Sequence, residues 1–317
     1  NITIRLNNLS ELKMKKICLF LSLLVLLLPF THACENKADE SGTEMLNLTS
    51  GFDEFYKARH LVCWQDVAAV YSAKLKISDY EYTYSLEKTE TLTDRAGYVI
   101  SVSLIARQGN DVSAYDTDNY IDEIKTALDN GYAALTVKEM ALCFFALTAA
   151  ETDFDYEKAA KHLETLQEEN GGFPVSADYA NPDAESSAYA LNVIMLSRRY
   201  ISDNCYNGVL RYLGNKINDD NTLSDIDNKK SAFTTALTLN SLISASIPLD
   251  GEISTSLTTA INSGFKVEEN PSLTGYKRYK DDTAIDRTVT GEVMLCFAAT
   301  SYGNLWINFI TQDNSDI

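Results

Sequence analysis

Gln167-Glu168-Glu169-Asn170-Gly171-Gly172-Phe173, followed after eight residues by Pro182-Asp183-Ala184-Glu185-Ser186-Ser187-Ala188-Tyr189-Ala190-Leu191, decides the fold. The first half is the end of a helix running into a tight Gly-Gly-aromatic corner. The second half is a helix start: Pro182 suits a first turn, Asp183 and Glu185 suit the positive end of a helix dipole, and an apolar run follows. Together they form a helix–corner–helix unit, and weaker copies of it recur along the chain.

Working outward, the apolar helices share one register. Thr136-Val137-Lys138-Glu139 is a capping box, and Ala141, Phe144, Phe145 and Thr148 fall on one helical stripe. Further apolar helices are expected over 59–75, 93–107, 184–199, 230–246 and 287–302. More polar helices are expected between them, over 118–130, 156–169, 204–217 and 251–264, with 44–58 and 303–313 as two further candidates. Ala141, Ala190, Ala236 and Met294 mark a repeat of roughly fifty residues, a period typical of stacked or circular helical hairpins. The predicted fold is all-α: an (α/α)6 toroid with six inner helices, buried all round, and about six amphipathic outer ones. An open superhelical array is the alternative.

The start of the chain reads as address rather than fold. Lys13, Lys15 and Lys16 precede an apolar run from Ile17 to Phe30, and Thr31-His32-Ala33 supplies small residues at a cleavage site. Residues 1–13 are expected to be upstream over-translation and 14–33 a signal peptide. Residues 34–47 are expected to be a polar tether and 48–317 a single toroid domain. Cys34 stands where a bacterial lipoprotein carries its lipid, so the expected location is secreted and lipid-anchored on the outer face of the cytoplasmic membrane. That lipid is the only membrane contact expected.

Acids outnumber bases 45 to 27. Such a surface repels phosphate backbones, and nucleic acid is excluded as a partner. Cys63, Cys143, Cys205 and Cys296 match no zinc spacing. Neither a metal nor a cofactor is called for, and a monomer is expected.

Gln167 through Phe173 with Asp183 through Leu191, together with Trp64-Gln65-Asp66-Val67-Ala68, Asp94-Arg95-Ala96-Gly97-Tyr98 and Thr290-Gly291-Glu292 through Trp306, resembles the repeat of the prenyltransferase and squalene-cyclase superfamily, the α/α toroids. The resemblance covers the chain from about Gly51 onward, and Asn221-Thr222-Leu223 departs from it. It implies a terpene-cyclase acid, a prenyltransferase zinc site or a thioester. Asp225-Ile226-Asp227-Asn228 lacks the last Asp of the cyclase acid and is followed by two lysines, which favour ionised carboxylates. Only His60 and His162 follow Cys34, too few for a convincing zinc site, and no Cys precedes a Glu-Gln pair.

These departures make a noncatalytic cell-surface binding protein the leading expectation, with a small molecule, glycan or protein held at the acidic mouth of the toroid. Glu139, Asp183, Glu185, Tyr189, Asp227, Asp286, Arg287 and Glu292, all near inner-helix starts, are the candidate ligand-binding residues, and Tyr71, Tyr98, Phe144, Phe233 and Phe297 are candidate cavity linings. The alternative is a carbohydrate-active hydrolase or lyase using paired carboxylates at the same helix ends.

Overall fold

The computed structural model describes residues 52–57, 60–81, 90–131, 134–179, 181–270 and 273–312. The signal segment, the tether and Cys34 lie outside the described residues. Six apolar helices alternate with four amphipathic ones. The apolar set is α1 (Trp64–Ser72), α2 (Leu92–Arg107), α4 (Val137–Ala149), α6 (Ala184–Leu196), α8 (Ala232–Ser244) and α10 (Arg287–Tyr302). Each packs on the next in chain order and α10 packs back on α1, which closes the ring. This is the α/α toroid. The amphipathic set, α3 (Asp118–Gly131), α5 (Tyr156–Thr165), α7 (Asp203–Lys216) and α9 (Glu252–Phe265), lies outside it.

The inner helices run parallel. At one end, Val137 at the start of α4 bonds Val175 just ahead of α6, and Gly291 of α10 lies against Cys63 and Gln65 at the start of α1. At the other end, Arg107 closes α2 onto the last carbonyls of α4, Thr148 and Ala149. Six N-termini therefore gather on one face, the mouth, and six C-termini on the other, the base. Hydroxyls and carboxylates cap the starts, as the sequence leads one to expect: Thr91 and Thr136 in capping boxes, Asp183, Ser231 and Asp286 singly.

Three corners repeat one hydrogen-bond device. Ser187, Thr235 and Thr290 each donate to the carbonyl of their own N-cap residue, Asp183, Ser231 and Asp286. Each hydroxyl also accepts from the backbone N–H of the corner residue, Phe173, Leu223 and Tyr276. All nine groups are buried or nearly so, so each bridge satisfies polar atoms that water cannot reach. Two corners are short antiparallel ladders, β1 (Phe173–Pro174) with β2 (Pro182–Asp183) and β3 (Leu223–Ser224) with β4 (Lys230–Ser231). The third is a longer hairpin, β5 (Lys266–Asn270) with β6 (Leu273–Tyr276).

The opening stretch works through contact. Gln167 donates to the carbonyls of Gly171 and Cys205, pinning the end of α5 to α7. Gly171 sits at φ 88°, and a Cβ there would lie 2.3 Å from the Gly208 carbonyl oxygen. A Cβ on Gly172 would strike the Tyr212 ring at 2.5 Å. The two glycines let the outer layer close onto the inner one.

The prediction for 303–313 is corrected. The apolar segment α11 (Leu305–Gln312) is not an outer helix; it packs against inner helices α4 and α6. Trp306 is buried and stacks on Phe145 of α4, centroids 4.4 Å apart and planes at 4°. Asn304, also buried, donates to the Asn240 side chain at 2.9 Å and accepts from the N–H groups of Trp306 and Ile307. Helix α11 thus fills the ring from its base. Its period is that of an amphipathic outer helix, so periodicity alone misassigns it.

Candidate active site

Several side chains two or six residues past an inner-helix N-cap meet at the mouth, where Gln65, Lys138, Glu185 and Tyr189 all interact with one another or with Glu292. Gln65 stands two past Cys63, Lys138 two past Thr136, Glu185 two past Asp183 and Phe233 two past Ser231. Tyr189 stands six past Asp183 and Glu292 six past Asp286. Residues four apart share a helix face, so α6 places Glu185 directly above Tyr189.

Glu292 is the most buried carboxylate of these. It is 1% exposed, and its Oε2 atom has no hydrogen-bond partner among the described residues. Burial pushes its carboxyl up to about 8, and the charge of Glu185 adds to this. Lys138 and a hydrogen bond from Gln65 pull the other way and do not prevail. Glu185 is half-buried at the mouth. Burial raises its carboxyl too, against Lys138 and Arg278, which favour the ionised form. Tyr189 is buried beneath the pair, and its phenol is held well above its ordinary range by that burial.

A loop brings a further charge to this cluster. Residues 277–286 lie across the start of α8: Ala232 N–H donates to the Arg278 carbonyl, and Tyr279 donates to Asp225 at 2.6 Å. Lys280 pairs with Asp220 at 3.2 Å. The Arg278 guanidinium rests 5.0 Å over the Phe233 ring and 3.5 Å from Asp286. Lys138 is exposed and Arg278 half-exposed, so two cations flank the carboxylates, one from the start of α4 and one from the loop.

Glu185, Tyr189 and Glu292, expected at the mouth, are brought together there. Asp183 joins their field, but its side chain caps α6 and accepts from Ser186. Glu139 is spent on the Thr136 capping box. Asp286 caps α10. Asp227 is exposed on the β3–β4 turn, whose Asp225 accepts from the N–H groups of Asp227 and Lys229. Arg287 is exposed, and Arg278 is the arginine that reaches Asp286. Of the proposed cavity aromatics, Tyr98 packs on Tyr120, Phe144 on Tyr156, Tyr71 on Phe309 and Phe297 on Tyr276. These rings join layers instead of lining a lumen. Sequence reasoning missed Gln65, Lys138 and Arg278. The first two share the N-cap-plus-two offset with Glu185, a signal present in the sequence; Arg278 has none, because a loop carries it in.

No protein family profile matches the chain, and no curated protein matches it significantly. Among solved structures it is similar to the unsaturated glucuronyl hydrolase of Streptococcus agalactiae and to a single-residue mutant of that enzyme. Each is 13% identical at a TM-score of 0.47, over 83% of this chain and 90% of the other. A likeness of that size assigns no reaction. It does correct two expectations. These two solved structures are glucuronyl hydrolases, not the prenyltransferase or squalene-cyclase repeat proteins that the sequence resemblance led one to expect. The noncatalytic binding role built on that resemblance falls with it.

Proposed function

We propose that this chain is a carbohydrate-active hydrolase whose general acid is Glu292 and whose partner carboxylate is Glu185. One observation carries the reading: a buried carboxyl with an unpartnered oxygen, raised to about 8, stands next to a half-buried carboxyl at the mouth. Glycoside cleavage needs such a pair, one group that keeps its proton near neutral pH and one that works ionised. Structural carboxylates in this chain look different. Asp183, Glu139 and Asp286 each accept hydrogen bonds from the helix starts they cap.

In this reading Glu292 gives its proton to the glycosidic oxygen as the bond to the anomeric carbon breaks. Glu185, ionised, takes the proton of the attacking water or attacks that carbon itself. Lys138 and Arg278 at the rim favour an acidic sugar, whose carboxylate would draw the guanidinium away from Phe233 and open the path to Glu292. The N-termini of six parallel helices add positive potential on the same face.

The test is turnover of a panel of acidic and neutral oligosaccharides by the purified chain, with products read by mass spectrometry in ¹⁸O-water. Label in the new reducing end marks hydrolysis, whereas an unlabelled, unsaturated product marks a lyase. Glu292→Gln and Glu185→Gln should each cut turnover by about 10²–10⁴-fold. Full activity in either variant would sink the assignment.

A further inference from the structure

A concave surface lies at the end of the ring opposite the mouth. It is a groove of about 490 Å³ where α1 and α2 end, lined by Tyr71, Lys74, Lys76, Ser78, Arg107 and Gln108 among others. None of its lining residues is acidic, in a chain whose acids outnumber its bases 45 to 27. A groove drawn at random from this surface would carry more carboxylates than ammoniums.

The groove is held on a fixed frame. The strap leaving α1 turns back through two bonds, Lys74 N–H to the Tyr71 carbonyl and Leu75 N–H to the Val70 carbonyl. Gln108 then clamps it from α2, accepting from Ile77 N–H at 2.8 Å and donating to the Leu75 carbonyl at 2.7 Å. On the far wall Arg107 is fixed by the Ala149 carbonyl at 2.9 Å and Glu151 at 2.9 Å, with its guanidinium 4.2 Å over the Phe309 ring. Arg107 is therefore largely neutralised, whereas Lys74 and Lys76 are not. Both are exposed, and neither has an ion-pair or hydrogen-bond partner for its ammonium among the described residues.

The C-termini of the inner helices converge at this end, and their dipoles attract cations. That attraction accounts for one lysine near a helix end. It does not account for a preformed concavity bearing two unspent ammoniums, the Ser78 hydroxyl and no carboxylate. We infer that this groove binds an oxyanion, a sulfate or phosphate group carried by a small molecule, with Lys74 and Lys76 as its charged ligands and Ser78 as a hydroxyl donor. The groove is remote from Glu185 and Glu292, so its occupancy stands apart from the proposed reaction.

The probes are inorganic sulfate and inorganic phosphate, titrated into the full chain at constant ionic strength with chloride as the balancing ion. The readout is amide NMR shifts of residues 74–78. The expected result is saturable one-to-one shifts, weakened at least about tenfold in the double variant Lys74→Asn, Lys76→Gln, which removes two charge-assisted contacts. Asn suits position 74, where φ is 61°. Because both side chains are exposed, the variant keeps its fold, and its unfolding temperature checks this. Linear shifts, equal shifts in wild type and variant, or shifts that chloride reproduces would overturn the inference. So would lysine-dependent binding seen only with anionic phospholipid vesicles, which would make the surface a membrane contact instead.

Discussion

Replacing Glu292 with Gln should cut activity and change stability, and the second effect must depend on pH in a defined way. In the unfolded chain this carboxyl ionises near the ordinary glutamate value of 4.5, whereas in the fold it keeps its proton up to about 8. The folded state therefore binds the extra proton. Stability is highest below the unfolded value and falls as pH rises through the window from 4.5 to 8, by about 1.4 kcal/mol per pH unit. At pH 7 the accumulated loss is about 3 kcal/mol. Glu292→Gln cannot ionise and escapes all of it. Its amide nitrogen inherits the unpartnered site of Oε2, a pH-independent cost of about 1–3 kcal/mol. Thermal unfolding of both proteins at pH 5, 6, 7 and 8 separates the two effects. The gap between variant and wild type should move in the variant's favour by about 2–3 kcal/mol between pH 5 and pH 7, or roughly 4–12 °C in Tm for a chain of this size. A gap that stays constant across that range would show that Glu292 ionises normally, and the acid assigned under the proposed function would go with it.

Activity should show an alkaline limb near pH 8 as Glu292 loses its proton, and Glu185→Gln should abolish the acidic limb of the same profile. Gly171→Ala should destabilise by about 2 kcal/mol or more in urea unfolding, because a left-handed residue gains a Cβ 2.3 Å from a backbone oxygen. Trp306→Ala should cost about 3–5 kcal/mol by the same measurement, since the ring stacks on Phe145 in the filled centre. Thr290→Val leaves the buried Tyr276 N–H without its acceptor and should cost about 1–3 kcal/mol; Thr290→Ser should recover most of it.

The toroid was legible because its signals are local. A capping box, a Gly-Gly corner and an apolar run each act within a dozen residues, and they recur along the chain. Thr136 with Glu139 and Gln167 with Gly171 form the contacts their spacing implies. The hydroxyls of Ser187, Thr235 and Thr290 were equally visible as letters, but their shared task of tying a corner to a cap appears only when two segments meet. The site was legible by half. Glu185, Tyr189 and Glu292 were marked by position, because parallel inner helices carry corresponding offsets to one face. Asp227 and Arg287 satisfied the same positional rule and failed, one drawn into a hairpin turn and the other left outside.

What separates a working carboxylate from a capping one is the count of donors around it, and that count is tertiary. Glu139 and Glu292 both lie early in inner helices. The first meets Thr136 N–H and hydroxyl at once, and both are bound to its carboxylate. The second lies a full turn deeper, where the helix has already satisfied its own N–H groups, and only Gln65 reaches it. Burial without donors favours the neutral form. An acid two turns into an inner helix, flanked by apolar residues, is therefore a sharper marker of proton-transfer chemistry in this ring than an acid at the cap. By that criterion Glu292 stands apart from Asp183, Asp286 and Glu139, and Glu185, only two residues past its cap, is the partner that solvent can reach.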